Sequence, residues 1–179
     1  MKRPLSDVAF TESVKAVQQR MGSRKHYERM ETAGGWENTI SKDLADFIGD
    51  RDSFYLATAS AKGQPYIQHR GGPKGFLKVL DERTLAFADF AGNRQYITVG
   101  NLAENKQAFL FLMDYVNQTR VKIWGTAEVV DDPRLVKQLT DPAYKGKSER
   151  AIRFHVEAFD INCRQHIRPR FTQQEVEAP

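Results

Sequence analysis

The middle of the chain alternates between apolar and polar residues, the pattern of a strand with one buried face. The alternation is clearest over residues 119–130, where a face rich in valine opposes a face with two cations and a tryptophan. Residues 107–114 form an unbroken apolar run, which predicts a central strand. β-Branched and aromatic content between short turns predicts further strands over residues 53–60, 65–70, 76–80, 84–89 and 151–161.

Helical spacing of apolar residues is found mainly before residue 50. Thr11 can cap a helix on which Val14, Val17 and Met21 form one apolar stripe. We expect such helices to lie on the outside of the sheet. Further helices are predicted over residues 23–33, after Ser41, near Asn93 and from Pro133.

Short turns between six or seven predicted strands favour an antiparallel barrel over a doubly wound sheet. The sequence therefore predicts a mainly β, α+β protein in which peripheral helices surround an antiparallel barrel. We expect a helical extension over residues 1–50 to pack on a barrel formed by residues 51–179, within one structural domain.

Composition limits the possible classes of partner. The 179 residues are 40% hydrophobic and 28% charged, which is ordinary for a soluble globular protein. We expect no membrane span and no secretory signal, because no apolar run approaches ~20 residues. The single cysteine, Cys163, fits a reducing cytoplasm. The net charge of +4 suits nucleic acid and a phosphorylated small molecule equally, but the sequence has no cluster of five or more Lys/Arg and no nucleic-acid motif, so nucleic-acid binding is not expected.

Asn93, Arg94 and Gln95 follow a strand that ends at Asp89 and a turn that contains a glycine. The start of a helix here would offer free N–H groups and a positive dipole end to an anion. A cation in the first turn is unfavourable for the helix, so a bound anion would explain Arg94, whose guanidinium can donate two parallel hydrogen bonds. The alternative is that Arg94 points into solvent.

Two other segments allow two interpretations each. The polar face of residues 119–130 is either a solvated strand face or a wall against which a flat ligand rests. The bend over residues 71–75, Gly-Gly-Pro-Lys-Gly, either brings backbone close to a ligand or is a wide structural turn. His69 and His166 could line a ligand site, and Cys163 could be a reactive thiol or a small buried residue. The histidines show no metal-ligand spacing, and no metal is predicted.

The order of these segments over about residues 40–165 resembles the pyridoxamine 5'-phosphate oxidase-like, FMN-binding split β-barrel family. The resemblance rests on GFLKVLDER, on the strand and loop TLAFADFAGNRQYI, and on TRVKIWGTAEVV. It implies FMN as the cofactor, bound at the interface of a homodimer. The implied cofactor-binding residues, with the strand tryptophan added, are Arg70, Phe76, Leu77, Lys78, Ala88, Asp89, Asn93, Arg94, Gln95, Arg120, Lys122 and Trp124.

The sequence also departs from the family's pattern. Pro73 stands where the family has an arginine, which Arg70 could replace, and Gln95 stands in place of the lysine of the phosphate loop. The C-terminal segment that holds pyridoxine phosphate in the family is absent, so pyridoxamine phosphate oxidation is not expected. Arg120 or Lys122 is the candidate cation near N1 of the flavin, and no catalytic residue is assigned.

The resemblance implies an FMN-dependent oxidoreductase with a small-molecule redox substrate, for which a nicotinamide nucleotide is the candidate electron donor. One alternative is a non-catalytic flavin- or haem-binding barrel that serves as a sensor or store. A basic RNA-binding barrel is the weaker alternative, because aromatic residues alternate with cations on one strand only.

Overall fold

The computed structural model describes residues 3–162 and 164–177, so Cys163 and its predicted roles lie outside the described residues. Within this part, seven strands form one antiparallel sheet in the order β2-β1-β5-β6-β7-β4-β3. This is the predicted mainly β architecture of a split barrel with peripheral helices. The strands are β1 (Ser53–Ala59), β2 (Pro65–Gly71), β3 (Lys78–Asp81), β4 (Thr84–Phe90), β5 (Gln107–Asp114), β6 (Thr119–Val130) and β7 (Ser148–Asn162).

Alternation along β6 sets its packing as the sequence predicts. Val121, Ile123 and Ala127 are fully buried, whereas Lys122, Trp124 and Thr126 are half-buried on the opposite face. Burial of these side chains is favourable by roughly 25 cal/mol per Å² of apolar surface. The same interior contains Phe54 of β1, Leu110 of β5, Phe87 of β4 and Phe154 of β7. The core therefore lies inside the curved sheet.

Strand β4 is buried on both faces. Leu85 and Phe87 enter the main core, as the alternation predicts, but Ala86 and Ala88 are buried as well. A helix, α5 (Pro133–Leu139), covers them with Leu139. Small side chains on the outer face let this helix approach the strand closely.

Five further helices are described, together with a 3₁₀ helix at Leu5–Val8. Ser41 caps the helix over Lys42–Gly49 as predicted, and Leu44 and Ile48 of that helix are buried in the core. No described helix is long and apolar enough to cross a membrane. The remaining helices are α1 (Glu12–Arg20), α2 (Arg24–Thr32), α3 (Lys42–Gly49), α4 (Ile97–Glu104) and α6 (Gln173–Glu177).

The apolar stripe predicted on α1 is not a packing face. Val14, Val17 and Met21 are 37%, 46% and 74% exposed. The helix is held instead through Gln18, which is buried and accepts a hydrogen bond of 2.7 Å from the buried Arg24 of α2. A polar contact between neighbouring helices thus decides the orientation of α1, which its apolar spacing does not reveal.

The helix predicted from Asn93 begins later. Helix α4 starts at Ile97, and Tyr96 precedes it in the left-handed region with φ 54°. Arg94 is also left-handed, with φ 63°, so the chain cannot be helical over residues 93–96. Arg94 therefore lies in a loop and not in the first turn of a helix.

The glycine-rich bend between β2 and β3 is a wide structural turn. Its amides bond to the backbone before β1: Gly72 N–H donates to Asp52 O at 2.9 Å, and Gly75 N–H donates to Arg51 O at 2.8 Å. A Cβ on Gly72 would lie 2.6 Å from the Phe76 ring, and Gly75 has φ +73°. Close packing and positive φ explain both glycines without a ligand.

Asp114 anchors the turn between β5 and β6, and its loss should destabilise the fold in a pH-dependent way. Burial raises the pKa of Asp114, but hydrogen bonds from Asn117 at 2.9 Å and an ion pair with Arg51 at 3.2 Å lower that pKa below its ordinary value. A lowered folded pKa stabilises the protein above the unfolded pKa of ~3.9, and the contribution disappears as pH falls through the folded value.

We therefore expect Asp114→Asn to lower the free energy of unfolding by about 1.5–3 kcal/mol at pH 7, the range for hydrogen bonds to a charged group. Urea unfolding at several pH values measures it. The difference from the wild type should shrink below pH ~4, where the unfolded carboxyl is protonated. A difference that stays constant down to pH ~3 would show that charge has no part in it.

Candidate functional site

The interior of the barrel turns polar where β4 ends. Leu85, Phe87 and Asp89 share the inner face of this strand because side chains alternate along it. Asp89 is only 7% exposed. A carboxylate this buried must be paired, since isolated charges are strongly unfavourable away from water.

Two arginines from other strands pair with Asp89. Arg70 of β2 donates from Nη1 to Asp89 Oδ1 at 2.5 Å, and its guanidinium lies 5.7 Å from the centre of the Phe87 ring. Arg150 of β7 lies on the other side, with Nε 3.6 Å from Asp89 Oδ2. Within the described part of the chain, the buried Nε atoms of Arg70 and Arg150 have no hydrogen-bond partner. Of these two arginines only Arg70 lines the pocket, so its guanidinium is the one with donor capacity that the described protein groups leave unused.

The loop before α4 closes one side of this pocket. Arg94 Nε donates to Tyr96 Oη at 3.3 Å, and this hydrogen bond raises the pKa of Arg94. Asn93 Oδ1 accepts from the Gln95 amide at 3.2 Å. Left-handed backbone at two non-glycine residues costs on the order of 1–3 kcal/mol each and clusters at functional sites. The strain therefore points to a ligand-binding role for the loop.

A pocket of about 220 Å³ lies between the loop and β2. Its floor is formed by Tyr66 and Gln68, and Gln68 Oε1 accepts from Thr98 Oγ1 of α4 at 3.0 Å. Ligand sites for whole small molecules commonly have ~300–1,000 Å³. A volume of about 220 Å³ is enough for a phosphate-sized group but not for a whole small molecule of this kind.

Five of the predicted site residues meet at this pocket: Arg70, Asp89, Asn93, Arg94 and Gln95. Phe76 and Leu77 are instead buried in the core, and Ala88 lies under α5. Lys78 is exposed on β3, opposite Ala86 of β4. The side chains of these last four do not line the pocket.

The remaining predicted residues, Arg120, Lys122 and Trp124, lie on the outer face of β6. Trp36, from the segment between α2 and α3, stacks on Trp124 with ring centres 4.5 Å apart and planes 20° apart. Lys122 Nζ forms an ion pair of 2.8 Å with Asp160. Trp36 therefore covers Trp124, one part of the wall that the sequence predicts for a flat ligand.

Within one chain, the two groups of predicted residues are far apart. Lys122 pairs with Asp160 in the β6–β7 ladder, and Asp89 pairs with Arg150 in the β4–β7 ladder. Residues 150 and 160 are separated by ten steps along β7, or about 30 Å at ~3.3 Å per residue. One site can contain both groups only if two chains contribute to it.

A larger open groove, of about 830 Å³, lies beside the start of β1 and the turn after β5. Several of its charged groups are already paired with one another, as in Lys74 with Asp50 at 2.8 Å and Arg51 with Asp114 at 3.2 Å. These four charged groups therefore satisfy one another without a ligand.

Three residues of these regions are missing from the sequence prediction: Arg150, Tyr96 and Trp36. Strand β7 begins at Ser148, three residues before its predicted start, so Arg150 precedes the predicted strand. Extending the alternation back from Ile152 and Phe154, which are buried, would have placed Arg150 on the inner face. The left-handed backbone of Tyr96 and the contact of Trp36 with Trp124 have no comparable pattern in the sequence that would predict them.

Comparison with known proteins gives the family. A sequence profile described as pyridoxamine 5'-phosphate oxidase matches residues 40–165. The chain belongs to the pyridoxamine 5'-phosphate oxidase family. The match includes all seven strands of the described residues and the arginine pocket.

Solved structures of other proteins show the same fold. A HupZ variant from Group A Streptococcus is 20% identical, with a TM-score of 0.56, over 69% of this chain and 99% of that one. An FMN-binding protein from Syntrophomonas wolfei subsp. wolfei is 13% identical, with a TM-score of 0.53, over 81% of this chain and 97% of that one.

Among curated proteins, the human mitotic interactor and substrate of PLK1 is 27% identical over 149 residues, which are 80% of this chain. The matched region spans only 21% of the human protein.

Proposed function

We propose that the chain is an FMN-binding flavoprotein and an oxidoreductase related to pyridoxamine 5'-phosphate oxidase. The observation that carries the proposal is the arginine pocket, in which a buried guanidinium, Arg70, keeps an unpaired Nε and Arg94 lies on a strained loop. Membership of the family and the fold shared with an FMN-binding protein support FMN as the ligand.

The pocket residues fit the phosphate end of FMN. Arg70 and Arg94 would donate charge-assisted hydrogen bonds to phosphate oxygens, a geometry for which guanidinium is well suited. Asp89 would hold Arg70 in place, and Gln68 with Tyr66 would border the chain that leads away from the phosphate. When bound, FMN supplies hydride chemistry, so the protein has to bind and orient it.

We further propose a homodimer in which the flavin lies between the pocket of one chain and the polar face of β6 of the other. The volume of about 220 Å³ leaves most of a flavin outside the pocket, and a second chain can cover that part. A two-fold interface would create two equivalent sites. In this arrangement Arg120 or Lys122 of the second chain would stabilise negative charge on the reduced ring, and a nicotinamide nucleotide would supply the hydride.

Analysis of the chromophore tests the cofactor. The purified protein, or the protein reconstituted with FMN, should show flavin absorbance. Mass spectrometry of the cofactor released by denaturation should identify FMN. Release of FAD, a haem spectrum, or failure to bind added FMN would contradict the proposal. Bleaching of the bound flavin by a nicotinamide nucleotide under anaerobic conditions separates an oxidoreductase from a store.

Arg94→Ala should weaken the binding of FMN and leave the binding of riboflavin, which lacks the phosphate, almost unchanged. Loss of hydrogen bonds to a charged group predicts a decrease in FMN binding free energy of about 1.5–3 kcal/mol. Fluorescence titration of the apoprotein with both ligands measures it. Arg134→Ala is the matched control, because Arg134 is an exposed arginine on α5 outside the pocket. Equal losses of FMN and riboflavin would mean that the loop had collapsed.

A further inference from the structure

We propose that Arg150 of β7 is a positioning residue for phosphate selectivity, acting through Tyr96 and Asp89. The inference rests on the proposed function of the pocket and adds to it a residue from a distant part of the sequence. Arg150 does not line the pocket, but its guanidinium contacts groups on both sides of it.

The first contact supports the loop. The Cζ atom of Arg150 lies 5.3 Å from the centre of the Tyr96 ring, within the range of a cation–π interaction. The hydroxyl of the same ring accepts from Arg94 Nε at 3.3 Å. Tyr96 thus lies between two guanidiniums, and its left-handed backbone is held by the stack beneath it. Removing Arg150 should release Tyr96 and with it the position of Arg94.

The second contact acts on charge. Asp89 is shared between Arg70 and Arg150, and Glu149 Oε2 accepts from Arg150 Nη2 at 2.9 Å. Arg70, Arg94 and Arg150 together exceed these two carboxylates by one positive charge, counting only this network within the described residues. Without Arg150 the network would be neutral, and its attraction for a phosphate would be weaker.

Arginine geometry distinguishes this role from charge alone. A lysine at position 150 would keep the positive charge, but it has no planar group to stack on Tyr96. Arg150→Lys should therefore lose less of the selectivity for phosphate than Arg150→Gln does.

The experiment compares FMN and riboflavin affinities of the full chain carrying Arg150→Gln or Arg150→Lys. We expect Arg150→Gln to lower the affinity for FMN by about tenfold, as for the loss of one charge-assisted contact. The affinity for riboflavin should change by less than about twofold. Arg150→Lys should fall between Arg150→Gln and the wild type. Arg153→Gln is the matched control, because Arg153 lies on the exposed side of the same strand and pairs with Glu128 at 2.5 Å.

Equal losses of affinity for FMN and riboflavin, or no loss of affinity for FMN, would overturn the inference. If the wild type binds FMN but Arg150→Gln is unaltered, only this inference fails. If the wild type binds neither FMN nor inorganic phosphate, measured by ³¹P line broadening, the proposed function fails with it. Should Arg150→Gln not fold, Tyr96→Leu removes the same stack at an exposed residue and must reproduce the selective loss of FMN.

Discussion

Gly125→Ala is expected to prevent stable folding, with a loss of more than about 4 kcal/mol in the free energy of unfolding. A Cβ at this position would lie 1.9 Å from the backbone oxygen of His155 and 2.7 Å from Phe154 Cε1. The ladder between β6 and β7 shifts register between Trp124 and Gly125, so the two backbones approach closely there. A clash with backbone cannot be relieved by a change of rotamer, and β7 would have to move.

Solubility of the expressed chain and urea unfolding measure this effect. Gly100→Ala is the matched control, because no described atom apart from its chain neighbours and the backbone of α4 lies within 4 Å of the Cβ that would be added at that glycine. Alanine in a helix interior should be neutral or stabilising there by about 0.5–1 kcal/mol. A folded Gly125→Ala protein with wild-type stability would show that the backbones of β6 and β7 do not lie as close together at this position as described.

Arg70→Met is expected to damage both the fold and the pocket. It leaves the buried Asp89 with Arg150 alone, at 3.6 Å, and removal of one partner from a buried ion pair typically costs about 3–5 kcal/mol. FMN affinity should fall at the same time, because the unpaired Nε disappears. Thermal unfolding and fluorescence titration measure the two effects separately.

The double variant Arg70→Met/Asp89→Leu separates these two roles. Replacing a buried pair with apolar residues of similar volume is often neutral, so most of the lost stability should return. FMN binding should stay weak, because no donor has been restored. A double variant that recovers FMN affinity along with stability would show that Arg70 serves the fold and not the ligand.

The strands were predictable because alternation is a local property of the sequence. Residues 107–114 and 119–130 have the bounds that the apolar pattern predicts, and the buried face of β6 is the predicted one. The burial of both faces of β4 was harder to predict, because α5, which covers the outer face, lies more than forty residues further along the chain. The small side chains of Ala86 and Ala88 indicate that another element can pack on this face, but they do not indicate which element it is.

The candidate site was predictable where it lies on one loop. Asn93, Arg94 and Gln95 do meet at a pocket with Arg70 and Asp89, although the helix that motivated the prediction starts later, at Ile97. The backbone conformation of Tyr96 could not be read from residue type, because aromatic residues seldom adopt positive φ. Trp36 on Trp124 joins residues that are distant in sequence, and periodicity carries no information on such contacts.

A crystal structure of the protein with FMN tests the central claim most directly. We predict the phosphate within hydrogen-bond distance of the Arg70 and Arg94 guanidiniums, with Arg150 still stacked on Tyr96. The flavin ring should leave the pocket towards the β6 face of a second chain. Density for the phosphate beside Lys122 and Trp124, with the arginine pocket empty, would contradict this account.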